Sequence, residues 1–175
     1  MGKRRRDVST VKNIQIILKP SGPWDTKSGG TLNVLFAMPL VTVRDRFLHY
    51  ENDELDRVPS DIRGLRAYTI SDLPNGRIGV TEWHRIREEM VFALEGSVRW
   101  MCEDLFGDKR EYVLIAGVGV WMPPFILHTY EVKEEGSGLL VIANTLFIPN
   151  DPRTHDTYSM ETFRELQAEH IARPK

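Results

Sequence analysis

Glu82, Trp83 and His84 put a carboxylate and an imidazole two residues apart, a spacing that on a β-strand turns both to one face and sends Trp83 to the other. Glu89 follows five residues after His84, and Gly96 seven after that, with the apolar run Met90 to Leu94 between them. A second group lies downstream: Gly117, then Pro123 and Pro124, then His128 five positions beyond Pro123. Imidazole titrates near neutrality, so such groups suit general acid/base work. The same donors suit a divalent first-row metal. Two carboxylates buried in a protein interior need a metal, a cation or a shared proton, so packing alone explains Glu82 and Glu89 poorly. Glu88 could replace Glu89 as the inward residue if a bulge shifted the strand's parity, but the distance to Gly96 favours Glu89. His49, His155 and His170 stand alone and are given no role.

The elements that must hold these residues are short strands. Seven runs follow one another: Leu65 to Ile70, Arg77 to His84, Met90 to Leu94, Val98 to Cys102, Tyr112 to Ala116, Leu127 to Val132 and Leu139 to Phe147. Most are separated by turn residues such as Pro74-Asn75-Gly76, Glu95-Gly96 and Gly136-Ser137-Gly138. Short strands with regular turns predict a sandwich or barrel. Upstream, Val11 to Val43 reads as a β-rich lead-in broken by Pro20, Gly22, Pro23, Gly29, Gly30 and Pro39, and Asn52 to Asp61 as a polar loop. Only the C-terminal end looks helical, with Met160, Phe163, Leu166, Gln167 and Ile171 on one stripe and Ser159 as N-cap.

Composition narrows the function classes. A chain of 175 residues, 41% hydrophobic and 27% charged, is expected to form one globular domain over residues 11–175, behind a disordered basic tail over 1–10 that carries Lys3 to Arg6. A net charge of −2 lacks the cationic footprint of nucleic-acid binding. No stretch has the length of a membrane span, the basic N-terminus lacks the apolar segment of a signal peptide, and Cys102 is the only cysteine. A cytoplasmic protein is expected.

Taken together, the Glu82–Gly96 and Gly117–His128 segments resemble the two motifs of the cupin superfamily, which implies an all-β double-stranded β-helix (jelly-roll barrel) with a short C-terminal helix, its motifs within about residues 65–148. More closely, Leu65-Arg66-Ala67-Tyr68 through Asp72-Leu73-Pro74, Met90 to Ser97, and Met122-Pro123-Pro124 with His128 resemble the nucleotide-sugar 3,4-ketoisomerases, which act on dTDP-4-keto-6-deoxyglucose. In that family a His-x-His pair lies in the pocket, and its second His moves the proton between C3 and C4. That residue maps onto His84, whereas the first maps onto Glu82. The family's Arg-Gly-Gly before the pair is here Gly79-Val80-Thr81.

The resemblance implies an isomerase working through an enediol, with His84 as base, Glu82 relaying the hydroxyl proton and His128 bonding the oxyanion or orienting His84. Arg66, Tyr68, Glu89, Arg99 and Tyr130 are expected to bind substrate. Arg77, Arg85 and Arg87 are further candidates for a diphosphate. Trp83, Phe92, Trp100 and Trp121 are read as core packing. A dTDP-sugar is the expected small-molecule partner, and the N-terminal lead-in is expected to pair a homodimer. No cofactor is favoured. Two alternatives stay open: a metal-dependent cupin oxygenase or isomerase holding Fe, Mn, Ni or Zn on Glu82, His84, Glu89 and His128, and a non-catalytic sugar-binding cupin.

Overall fold

The computed structural model describes residues 8–19, 21–48 and 63–172. The basic run at Lys3 to Arg6, the polar stretch from Asn52 to Asp61, and His49 lie outside them. Twelve strands are assigned among the described residues: β1 (Gln15–Leu18), β2 (Ser21–Asp25), β3 (Thr31–Val34), β4 (Arg63–Leu73), β5 (Glu82–Trp83), β6 (Glu89–Glu95), β7 (Ser97–Glu103), β8 (Lys109–Ile115), β9 (Val118–Met122), β10 (Leu127–Val132), β11 (Ser137–Thr145) and β12 (Tyr158–Ser159). One five-stranded sheet runs β1-β9-β6-β11-β4, a second runs β12-β5-β10-β7-β8, and β2 and β3 form a hairpin. Strand pairing is antiparallel throughout. This is the all-β jelly roll expected from the motifs.

Two-residue alternation sets what faces what. On β6, Val91 and Ala93 join Val98, Trp100, Leu114, Val120, Leu139 and Val141 in the barrel's interior cluster. Met90 and Phe92 turn the other way, onto Trp121 and Phe47, and Phe36 stacks on Phe92 at 5.5 Å. Each large apolar side chain buried in this way contributes about 1.5–3 kcal/mol. The β6–β7 hairpin turns at Gly96, whose φ is +63° and whose absent Cβ would lie 2.3 Å from the Ser137 hydroxyl, so only glycine fits.

Three sequence expectations change. Of Arg77 to His84, only Glu82–Trp83 is strand; Ile78 adds one isolated bridge to Glu131. The end of the lead-in is helical, with α1 (Leu40–Thr42) running into a wider turn over Val43–Phe47. And β9 is a full strand where the sequence suggested a spacer between Gly117 and Pro123. It lies between β1 and β6, and all but Val118 are buried, so its sequence lacks the alternation that marks a half-exposed strand.

The predicted C-terminal helix is α2 (Met160–Ala172). Its Phe163 is fully buried with Trp83, Leu105, Phe125 and Leu127, whereas Met160 and Ile171 are exposed, so the buried stripe is narrower than expected. Trp83 faces this helix as the strand period requires, donating its Nε1–H to the Ser159 carbonyl at 3.0 Å. No helix among the described residues is long and apolar enough to cross a membrane.

Candidate active site

The register of the second sheet builds the site. β10 pairs His128 with Glu82 of β5 on one side and with Cys102 of β7 on the other. From the first sheet, β6 brings in Glu89, opposite Met122 of β9 and Ala143 of β11. Glu89, His84 and His128 are only 3–5% exposed. Glu89 Oε2 lies 3.6 Å from His84 Nε2 and 3.9 Å from His128 Nε2. At those distances one carboxylate oxygen serves two imidazoles electrostatically, without closing a hydrogen bond to either.

Both imidazoles have their tautomer fixed from behind. His84 Nδ1 lies 2.6 Å from the Asp156 carbonyl, and His128 Nδ1 lies 3.0 Å from the Ile126 carbonyl. A carbonyl only accepts, so each Nδ1 carries a proton and each neutral ring presents a bare Nε2. The two rings lie 5.2 Å apart. Trp100 stacks on His128 at 5.5 Å and Tyr130 stacks on Trp100 at 5.9 Å, so one aromatic column holds the His128 ring. Tyr130 in turn lies flat against Gly79, where a Cβ would fall 2.3 Å from its ring. Glycine at position 79, the first residue of Gly79-Val80-Thr81, is therefore a packing requirement.

The electrostatics separate the two histidines. Burial opposes a charged His84, but the facing Glu89 carboxylate outweighs it, and His84 titrates above its ordinary value. Burial and the neighbouring His84 push His128 below its ordinary value, so it is the neutral member. Burial would raise Glu89, yet His84, then His128 and Arg87, hold its carboxyl far below the usual range. On its other oxygen Glu89 accepts the Tyr68 hydroxyl at 3.4 Å and Arg87 Nη1–H at 3.5 Å. Burial and Glu89 push the Tyr68 phenol well up, so it remains a donor.

Arg66, two residues before Tyr68, lays its guanidinium over the Tyr68 ring at 5.0 Å and the Phe147 ring at 5.4 Å. Thus Glu82, His84, Glu89, His128, Tyr68, Arg66 and, through Trp100, Tyr130 are brought together. Arg99 is not. It alternates away from Trp100 onto the opposite face of β7, 40% exposed, where it bonds Glu131 at 2.5 Å and lies 3.6 Å from Glu111.

Sequence reasoning gave Arg87 only as a diphosphate candidate, although it is buried and ties Glu89 to Thr145 and Thr157. It gave no role to Asp156. Arg87 had one local signal, its place two residues before Glu89, whereas its threonine partners lie 58 and 70 positions away; Asp156 had none, its partners lying 69–72 positions away.

Glu82, His84 and His128 each offer one ligand atom within 4.8 Å of the others. Two Nε2 atoms, each with Nδ1–H tied to a carbonyl, and one carboxylate form a donor set that fits divalent Fe, Mn, Ni or Zn. A cavity of about 410 Å³ lies elsewhere. It is lined by Trp121, Glu88 and Arg46 on the outer side of the strands that carry Glu89 and Met122, and no acid/base group of the cluster reaches it.

Solved structures share this fold. QdtA, a 3,4-ketoisomerase from Thermoanaerobacterium thermosaccharolyticum crystallised with TDP-4-keto-6-deoxyglucose as a variant, superposes with a TM-score of 0.59 at 17% identity, over 92% of this chain and 98% of that one. WlaRB, a TDP-quinovose 3,4-ketoisomerase from Campylobacter jejuni, gives 0.59 at 18%, over 89% and 99%. A dTDP-4-dehydrorhamnose 3,5-epimerase from Bacillus anthracis gives 0.58 at 9%, over 84% and 87%. No curated protein matches the chain in sequence. The family model described as "FdtA: WxcM-like, C-terminal" matches residues 39–162, well over half the chain, and takes in every residue of the cluster. The chain belongs to the FdtA family of WxcM-like, C-terminal domains.

Proposed function

We propose that this chain is a 3,4-ketoisomerase of a nucleotide-linked 4-keto-6-deoxy sugar, such as a dTDP-sugar. The reading rests on one observation above the rest: two buried imidazoles, both with Nδ1–H tied to carbonyls, turn their Nε2 atoms toward the same Glu89 oxygen. Family membership and the fold shared with sugar-nucleotide ketoisomerases support it.

Moving the carbonyl from C4 to C3 removes the C3 proton, passes through an enediol and returns a proton to C4. His84 takes and returns that proton at Nε2, and Glu89 stabilises the imidazolium formed in between. His128, neutral and bare at Nε2, accepts the sugar hydroxyl's proton, a different role from the two expected from sequence, bonding the oxyanion or orienting His84. Glu82, the nearest carboxylate on β5, relays that proton to the other oxygen. Arg66 meets the diphosphate and Tyr130 the sugar's open side. Within this reading, residues 11–175 form one cupin domain that works in the cytoplasm as a homodimer.

The test is to incubate the protein with dTDP-4-keto-6-deoxyglucose in deuterium oxide and follow the sugar protons by NMR. A C3 proton that exchanges, with the 3-keto product appearing, is expected. A nucleotide sugar that binds without exchange would leave a sugar-binding protein and remove the isomerase.

The donor trio supports a second reading. A divalent ion on Glu82, His84 and His128 would polarise the substrate carbonyl as a Lewis acid. Elemental analysis separates the two: stoichiometric Fe, Mn, Ni or Zn on active protein favours the metal-dependent enzyme.

A further inference from the structure

We propose that Asp156 is the positioning residue that aims His84, through a contact the chain makes between two distant segments. The inference rests on the isomerase reading only for its kinetic arm. After β5, residues 84–88 leave the sheet before β6 begins. A free loop there would let the His84 ring swing, because β5 supplies just two residues of strand.

Asp156 removes that freedom. Its carboxylate accepts three successive backbone amides, those of Arg85 at 3.0 Å, Ile86 at 2.9 Å and Arg87 at 2.8 Å. Three consecutive N–H groups converging on one anion make a concave nest, which both fixes the loop and neutralises a buried charge. The same residue's carbonyl accepts His84 Nδ1–H at 2.6 Å. One residue therefore grips the loop with its side chain and the catalytic ring with its backbone. The side chain keeps the carbonyl on target. Neighbouring contacts reinforce the clamp: Tyr158 pairs with Trp83 and Ser159 with Glu82, so residues 156–159 run alongside 82–87 as a splint.

The consequence is specific. Nδ1–H donation to a carbonyl is what leaves His84 Nε2 bare for the substrate carbon, and the loop's pitch sets where that lone pair points. Loosening the clamp lets the ring adopt the other tautomer or tilt, which a base in flight between two carbons tolerates poorly. Substrate affinity, set by Arg66 and the pocket rim, is left in place.

The experiment uses the full chain with Asp156→Ala and Asp156→Asn. First, long-range nitrogen–proton NMR spectra of the imidazoles in ligand-free protein report the His84 tautomer. The Nδ1–H form is expected in the wild type and a mixture in Asp156→Ala. Second, kcat is expected to fall about a hundredfold in Asp156→Ala with KM within twofold, as for a displaced reacting group. Asp156→Asn, which keeps one acceptor oxygen, is expected between the two in both readouts. A folded Asp156→Ala with wild-type tautomer and wild-type kcat overturns the proposal, as does a loss of kcat matched by an equal rise in KM. Should the alanine variant fail to fold, the asparagine variant decides by the same two criteria. If the wild type has no isomerase activity, the tautomer spectra still decide the role of Asp156, so the two readings fail separately.

Discussion

Glu88 and Glu89 are neighbours in sequence and serve opposite faces of one sheet. Glu89 faces both histidines from inside the barrel, while the Glu88 carboxylate accepts the Trp121 Nε1–H at 2.7 Å on the outer face. The register shift on β6 falls beyond them, between Ala93 and Glu95, so alternation from Glu88 to Glu89 decides which carboxylate faces the histidines.

That division predicts opposite outcomes for the same substitution. Because His84 must lose its proton to act, and Glu89 raises its pKa, the acid limb of the wild-type kcat profile should lie above about pH 6.5, the ordinary histidine value. Glu89→Gln removes the raising charge and leaves burial, so the limb should move to lower pH while kcat drops about a hundredfold. Glu88→Gln should change neither. A profile recorded from pH 5 to 9 for the three proteins decides it, and an unmoved limb in Glu89→Gln would separate Glu89 from His84.

Stability should carry the same signature in the acid range. The folded pKa of Glu89 is depressed, so its contribution is fully present above the ordinary value of about 4.5 and is lost as pH falls below it. Urea midpoints should therefore drop between pH 5 and pH 3 in the wild type, and drop less in Glu89→Gln. Equal slopes in the two proteins would show that Glu89 is not held ionised by the fold.

The two arginines expected from sequence to bind substrate should now part company. Arg66→Ala should raise KM by about ten- to a hundredfold, the loss of one charge-assisted contact of roughly 1.5–3 kcal/mol. Arg99→Ala removes an outward ion pair worth about 1 kcal/mol or less and should leave KM unchanged. Steady-state kinetics on both variants checks the placement.

Ile16 and Leu18 on β1 and Val113 and Ile115 on β8 are exposed apolar residues on strands that end their sheets. Unpaired edges of this kind invite a second chain. Sedimentation at micromolar concentration should give a dimer for the wild type and a monomer for the Ile16→Glu, Leu18→Glu double variant. A monomeric wild type would end the dimer proposal.

Much of this was legible beforehand, and the reason is periodicity. Glu82 and His84 share a face because a strand alternates, and the turn at Gly96 follows Met90 to Leu94 because Glu95-Gly96 can make only a tight corner there. β9 was hidden by the same logic, since a strand buried on both sides has no alternation to read. The carbonyls of Ile126 and Asp156 were out of reach for another reason. Backbone acceptors carry no residue type, and what selects them is the three-dimensional path of the chain. Arg99 was offered as a cation close to the motifs in sequence, and on β7 it takes the face opposite Trp100, away from the histidines.

The splint between residues 82–87 and 156–159 also has a consequence in time. A catalytic strand two residues long cannot hold its shape until the segment from Asp156 to Phe163 arrives, with Tyr158 and Phe163 closing on Trp83. During synthesis the barrel's two cupin motifs emerge first and stay chemically idle. The site is finished by a segment 72 positions beyond His84, after both motifs are in place, so a product cut before Asp156 would fold much of its barrel and leave His84 unaimed.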